Sequence, residues 1–339
     1  MPLLDLVRTY GRLMRLSLAP TAAADIAVGI LWGTAGQWPA GSNAPWFLIA
    51  ASLCVVHGAM ILNDWSDRGG DSITRPDRPL PSGRVSAARA LWLGAGLLAM
   101  GPLLASRVCP GLAAWTTLLA VLAAGYDLGL RGPVLGPLLL ASCRGGNLVL
   151  GRLTGALLAT TPQGSGLPAI YGDEPVTLGF TGLGSSPLDW APALLYFAYV
   201  FFVSRLGRLE DDEDPRPLGA RPRIYLTGAG IALLVAPLAL LPRMGVSIGF
   251  GAALLLTSIS AIPLLREGLA NQDWDRARIG RNMGRALRRL LVFTASLALV
   301  TLQRSFEVPN GSWDGLWVGL CVLAGYPVSF ALRRAFPPS

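Results

Sequence analysis

Lysine is absent from this 339-residue chain, and charge of either sign is scarce. Only 14% of the residues are charged, against about 25% in soluble domains, too few to coat a globule of this size. A soluble enzyme, a disordered chain and a nucleic-acid-binding domain are excluded on that ground. Histidine occurs once, at His57, and reads as a hydrogen-bonded packing residue. The four cysteines, Cys54, Cys109, Cys143 and Cys321, lie in or beside apolar runs with no paired spacing. They read as small buried apolar residues, which excludes a disulfide framework or a thiolate metal site.

What is plentiful is apolar surface. Hydrophobic residues make up 52% of the chain and mean hydropathy is +0.50, the composition of an integral membrane protein with several spans. Ten candidate spans follow: 19–36, 45–62, 88–106, 110–127, 134–160, 188–204, 224–241, 245–265, 286–303 and 315–332. The fold class is all-α, a polytopic bundle of nine to ten transmembrane helices in a single unit, residues 1–339. Acidic loops after the second and sixth spans hint at a duplicated four-helix unit, with halves 1–160 and 188–339. Leu3 to Leu18 reads as an amphipathic interfacial helix rather than a signal peptide, with Arg8, Arg12 and Arg15 on its polar side.

The net charge of +8 is carried entirely by arginine. With the N-terminus inside, 23 of the 28 arginines fall on inner segments, three on outer loops (Arg107, Arg243, Arg304) and two, Arg144 and Arg152, within the fifth span. That asymmetry sets an orientation with both acidic loops cytoplasmic and segment 161–187 outside, as expected of a protein of a bacterial inner membrane.

The first acidic loop reads Asn63-Asp64-Trp65-Ser66-Asp67-Arg68-Gly69-Gly70-Asp71. Asn63, Asp67 and Asp71 are successive i, i+4 positions, so a continuing second helix projects them and Asp64 from one face. Clustered oxygen donors repel one another unless a cation sits among them, and this density suits Mg²⁺ shared with a phosphate. Arg75-Pro76-Asp77-Arg78-Pro79-Leu80-Pro81-Ser82-Gly83-Arg84 comes next. Its three prolines make a rigid loop, so Arg75, Arg78 and Arg84 are held as fixed guanidinium groups suited to a diphosphate. The second loop carries Arg205, Arg208 and Glu210-Asp211-Asp212-Glu213-Asp214. Glu210 and Asp214 at i, i+4 would form a second acidic face, and two such faces can hold two Mg²⁺ around one diphosphate. A diphosphate head beside a deep apolar bundle suggests an isoprenoid substrate. Within the spans, Arg144 and Asn147 share a face, Tyr126, Asp127 and Arg131 end the fourth span on the inner side, and Asp25 is a buried acid without a role.

At these residues the sequence resembles the UbiA superfamily of intramembrane prenyltransferases, and is most similar to its EboC-like subgroup. Asn63, Asp64, Asp67 and Asp71 match the family's N-D-x-x-D-x-x-x-D signature. Arg75 to Arg84 match the following basic run, and Arg144 and Asn147 the polar pair of its fifth helix; Tyr126 to Arg131 looks like its Y-x-x-x-K/R segment, with Arg in the basic place and four residues between instead of three. Glu210 to Asp214 stands where the family has D-x-x-x-D, with Glu in the first place.

The resemblance implies Mg²⁺-dependent ionisation of a prenyl diphosphate and transfer of the prenyl group to a lipophilic or aromatic acceptor. It implies one Mg²⁺ on Asn63, Asp64, Asp67 and Asp71 and another on Glu210, Asp211 and Asp214. Diphosphate contacts would come from Arg75, Arg78, Arg84, Arg131 and Arg208, and cation shielding from the Tyr126 ring. Arg144 and Asn147 would contact substrate within the chamber. The alternative is a non-catalytic carrier or exporter of a prenylated or lipid-diphosphate compound, which needs no pair of ionising metal sites. The CDP-alcohol phosphotransferase pattern of membrane Asp residues is absent.

Overall fold

A computed structural model describes residues 3–160, 187–210, 218–270, 273–303 and 313–336. The described elements are α1 (Leu3–Leu13), α2 (Ala19–Gly33), α3 (Ala44–Thr74), α4 (Ala87–Ser106), α5 (Pro110–Asp127) and α6 (Leu135–Thr160), then α7 (Ala191–Arg208), α8 (Arg221–Val235) and α9 (Leu241–Met244), then α10 (Ile248–Leu269), α11 (Arg276–Arg288), α12 (Leu290–Val300) and α13 (Asp314–Ala335), with short 3₁₀ turns between some of them. No strand occurs among the described residues. Among the described residues, seven helical segments are long and apolar enough to cross a membrane by length and composition.

The starts of the helices are written into the sequence. Proline occupies one of the first two positions of α2, α3, α5, α7 and α8, where its missing N–H costs nothing and its fixed φ fits. Ser86, Ser247 and Asp275 cap α4, α10 and α11 by accepting from the N–H three residues on. At 31 residues α3 is about 46 Å long, against a hydrocarbon core of about 30 Å. It therefore leaves the apolar layer still helical, and Asn63–Asp71 ride on that protruding end.

The ninth expected span, 286–303, divides at Arg289 into the basic, amphipathic α11 and the eleven-residue α12. Every residue from Leu290 to Val300 is buried. A helix apolar all round belongs in the centre of a bundle, and α12 packs there against α2, α10 and α13. At about 16 Å it is too short to cross the core alone. Its hydropathy was read as a span because burial in protein and burial in lipid select the same residues.

The α2–α6 pair is built on glycine. Gly29 and Gly33 of α2 face Gly151 and Gly155 of α6. A Cβ built on Gly151 would lie 3.0 Å from the Gly29 Cα and closer still to the Ile26 carbonyl oxygen. One built on Gly155 would stand at the same 3.0 Å from the Gly33 Cα. Two small-xxx-small stripes in register let the backbones touch, which is how helices associate where lipid offers no hydrophobic driving force. The seam fixes Asp25 on α2 opposite Arg144 and Asn147 on α6.

Because the obstacles at this seam are backbone atoms, Gly29→Ala and Gly151→Ala should each lower the melting temperature of the purified protein by several degrees. Gly96→Ala, on an open face of α4 with nothing within 4 Å of the added carbon, should leave it unchanged or raise it slightly. Thermal unfolding of the three variants in one detergent checks the contrast.

Candidate active site

The protruding end of α3 presents its acids to three arginines that come from three different segments. Arg15 Nη2 donates to Asp64 Oδ1 at 2.7 Å. Arg78 Nη1 donates to Asp71 Oδ2 at 2.5 Å and lies 3.6 Å from Asp64 Oδ1. Arg131 Nη1 donates to Asp67 Oδ1. Asn63 Nδ2 donates to the other oxygen of Asp67 at 3.0 Å. Asp64 and Asp71 are buried, at 5% and 6% exposure, while Asp67 is half-buried. The helical spacing read from the sequence therefore holds, but each acid is engaged by a guanidinium.

The arginines are themselves held. Arg15 sits in the left-handed region, φ 52° and ψ 54°, a conformation that costs a non-glycine residue about 1 kcal/mol, and it turns the chain from α1 into α2 with its side chain over Asp64. Arg78 is buried in the proline-rich loop, whose Leu80 and Val85 pack with Leu13, Ile61 and Ala90. Arg131 donates through Nε to the Tyr126 carbonyl at 3.1 Å and through Nη2 to the Asp127 carbonyl at 2.7 Å, with its guanidinium 5.4 Å from the Tyr126 ring centre. Arg208 of α7 donates to the Arg131 carbonyl at 2.7 Å, tying the second half of the chain to this corner.

Beneath the acids lies a mostly apolar chamber of about 230 Å³. Its walls include Val55, Leu119 and Leu150 from the first half and Val200, Leu287 and Leu290 from the second, with Tyr126 and Asp127 also lining it. Arg144 and Asn147 line it as well, and behind them is a buried network. Asp25, fully buried, accepts from Arg144 Nη2 at 3.2 Å, from Tyr196 Oη at 2.7 Å and from Asn147 Nδ2 at 3.1 Å. The network neutralises a carboxylate and a guanidinium that would be prohibitively costly apart. His57 donates from Nδ1 to the Met14 carbonyl at 2.8 Å and so packs α3 on the segment preceding α2.

Four residues join the site that sequence reasoning did not assign to it: Arg15, Asp25, Asp127 and Tyr196. Asp127 is 1% exposed, its Oδ2 has no hydrogen-bond partner, and it lies within electrostatic reach of Asp67 and Asp64. A carboxylate oxygen left unpaired beside a row of acids is the kind of atom a hard cation satisfies. No group of three or more acid, histidine or cysteine side chains is drawn together into a cage among the described residues, because the arginines engage the α3 acids separately. The donor set, all oxygen and backed by fixed guanidinium groups, fits Mg²⁺ arriving with a phosphate.

Two expectations change. Arg75 is exposed, and Arg84 is also exposed and lines a different cleft with Arg8, Arg12 and Arg334. The proline-rich loop turns after Arg78 and carries Arg84 away. Helix α7 ends at Arg208, with Leu209 and Glu210 in a turn, so Glu210 does not continue it. Arg205 and Arg208 suit the negative end of that helix and a run of five acids opposes it, so the helix stops before the run. Glu210 lies against Gly280 of α11, where an added Cβ would meet its Oε1. Asp211 and Asp214 fall outside the described residues.

Comparison with known proteins agrees with the helical fold. The family model for the UbiA prenyltransferase family matches residues 18–283. A digeranylgeranylglyceryl phosphate synthase of Methanopyrus kandleri is 30% identical over 309 residues, covering 86% of this chain and all of the relative. A UbiA homolog from Aeropyrum pernix K1 superposes with a TM-score of 0.58 at 18% identity, covering 81% of this chain and 96% of its own. A UbiA homolog from Archaeoglobus fulgidus, solved bound to GPP and Mg²⁺, does so with a TM-score of 0.53 at 13% identity, covering 86% and 99%. Fold and motifs together define an intramembrane prenyltransferase. The chain belongs to the UbiA prenyltransferase family. The curated relative carries the name of the archaeal lipid synthases and not that of the EboC-like subgroup.

Asp67 and Asp71 should separate on substitution. Asp67→Asn removes a charge from a half-exposed position and should leave the protein folded. Asp71→Asn weakens the 2.5 Å ion pair of the buried Arg78 and should cost roughly 3 kcal/mol of stability. Melting temperatures of the two purified variants, with wild type alongside, check the difference.

Proposed function

We propose that the protein transfers a prenyl group from a prenyl diphosphate to a lipophilic acceptor within the membrane, with Asn63, Asp64, Asp67, Asp71 and Asp127 holding Mg²⁺. The observation that carries this reading is the convergence of Arg15, Arg78 and Arg131 on the acidic end of α3, directly over an apolar chamber. Mg²⁺, when bound, neutralises charge developing on the departing diphosphate. Arg78 and Arg131 bind and orient that diphosphate, since guanidinium forks that now meet carboxylates can meet phosphate oxygens equally well. Arg208 positions Arg131 by way of its carbonyl. The chamber walls exclude water from an electron-poor prenyl group until the acceptor attacks, and the Tyr126 ring shields its positive charge.

Glu210, Asp211 and Asp214 would hold a second Mg²⁺, and Arg144 and Asn147 would orient the acceptor. Arg75 and Arg84 are exposed and stand apart from the guanidinium groups that meet the α3 acids, so the diphosphate contact is assigned first to Arg78 and Arg131. The chain works as one catalytic unit, a reading supported by the chamber taking walls from both halves. The relative's name points to a glyceryl phosphate acceptor in that protein; for this chain the acceptor class stays at a lipophilic molecule. The Arg asymmetry supports cytoplasmic acidic loops. Sequence reading placed the protein in a bacterial inner membrane; the archaeal relatives support the multi-pass placement and not that host.

Purified protein given a prenyl diphosphate, Mg²⁺ and a lipid extract should form a prenylated lipid and release diphosphate. Without Mg²⁺, or in Asp67→Asn, the rate should fall at least 100-fold. Tight binding of the prenyl diphosphate with no product under any condition would favour the carrier instead.

Orientation has its own check. Ser72 and Ala220 are exposed, and cysteines placed there in a cysteine-free background should react with an impermeant maleimide only from the cytoplasmic side. A cysteine at Ser165, outside the described residues, should react only from the other side.

A further inference from the structure

Away from the acidic end of α3, a cleft of about 630 Å³ opens between α1, the end of the proline-rich loop and the last turn of α13. Arg8, Arg12, Arg84 and Arg334 line it, with Asp5 as its one acid and Thr9 beside them. No carboxylate lies within ion-pair distance of any of the four arginines among the described residues. Arg12 Nε is buried and has no hydrogen-bond partner. Arg334 has its guanidinium 4.4 Å from the Phe330 ring centre, and Gly11 of α1 is seated against the Phe336 ring. The cleft is thus a fixed pocket, walled by packed elements, with an excess of three positive charges.

The other side of α1 is apolar and uncovered. Leu3, Leu4, Leu6 and Val7 are 77%, 60%, 42% and 49% exposed. A short amphipathic helix with these two faces lies in the plane of the membrane surface, apolar side among acyl chains and basic side at headgroup depth. That places four unpaired guanidinium groups where lipid phosphates are concentrated.

We infer that this cleft is a binding site for the phosphate of an anionic membrane phospholipid, separate from the site that takes the prenyl diphosphate. Arg8, Arg12 and Arg84 ligate phosphate oxygens, Arg334 closes the pocket from α13, and the acyl chains leave along Leu3, Leu4, Leu6 and Val7. A free phosphate would satisfy the guanidinium groups but would make no use of the apolar face, which is why the lipid is the favoured source. A bound headgroup also ties α1 to α13. The segment that follows α1 carries Arg15 onto Asp64.

The test is thermal unfolding of the full-length protein in detergent with added phosphatidylglycerol, phosphatidylcholine, inorganic phosphate or diphosphate. Phosphatidylglycerol should raise the melting temperature by several degrees and phosphatidylcholine by much less, while neither inorganic anion should match it. In Arg8→Gln/Arg334→Gln, whose changed side chains are exposed, the phosphatidylglycerol shift should fall by more than half while prenyl transfer in excess detergent is retained. Equal shifts from the two lipids, or an undiminished shift in the double variant, would overturn the site. Protection by inorganic phosphate equal to that by phosphatidylglycerol, and lost in the same double variant, would overturn the lipid assignment. Native mass spectrometry, counting retained phosphatidylglycerol on both proteins, gives a readout independent of stability.

Discussion

Charge pairing at the edge of a low-dielectric bundle is the constraint on which the rest of the structure depends. Asp64 and Asp71 are taken almost wholly out of water, and an unpaired carboxylate there would cost several kcal/mol. The chain meets that cost with guanidinium groups drawn from the segment before α2, the proline-rich loop and the α5–α6 connection. Three separate stretches of sequence are thereby fixed around one helix end. The same rule operates deeper, where Asp25 is surrounded by Arg144, Asn147 and Tyr196. In both places the pairing is what allows ionic chemistry to sit beside an apolar chamber.

These pairs also explain why the acids do not form a preassembled cage. Carboxylates that each hold a guanidinium are balanced, not poised for a bare cation. A ligand that brings phosphate and Mg²⁺ together offers each arginine an anion and each carboxylate a cation in one exchange, and Asp127 Oδ2, now without a partner, gains one. Selectivity for the complex over either component follows from this balance. The long α3 and the glycine seam between α2 and α6 supply the scaffold: one carries the acids beyond the apolar layer, and the other fixes the chamber wall.

Much of this was legible in the sequence, for reasons that can be named. The i, i+4 spacing of Asn63, Asp67 and Asp71 survives in any helix, so their shared face needed no tertiary information. Arg78 and Arg131 were marked by rigid or motif-bearing neighbours. Arg15 was missed because its role depends on a left-handed turn 49 positions from Asp64, which no local pattern encodes. Tyr196 looked like one aromatic among many in a span, and its hydroxyl matters only opposite Asp25. The α12 segment read as a span because hydropathy does not distinguish a helix buried in protein from one in lipid. Glu210 sits in a turn after α7, because i, i+4 spacing carries no information about the helix dipole that favours an end at Arg205 and Arg208. The glycines of α2 and α6 stand in the sequence as G-x-x-x-G pairs, Gly29/Gly33 and Gly151/Gly155, but which helices they join is set only by the packing.

The central claim is that Mg²⁺ and diphosphate displace the arginine–carboxylate pairs together. Titrating Mg²⁺ into the purified protein with and without a non-hydrolysable prenyl thiolodiphosphate, by calorimetry or by the fluorescence of Trp65 beside the acids, measures it directly. The account predicts weak Mg²⁺ binding to the free protein and at least tenfold tighter binding with the analogue present, with the reciprocal gain in analogue affinity that linkage requires. Mg²⁺ affinity that is the same with and without the analogue would contradict it.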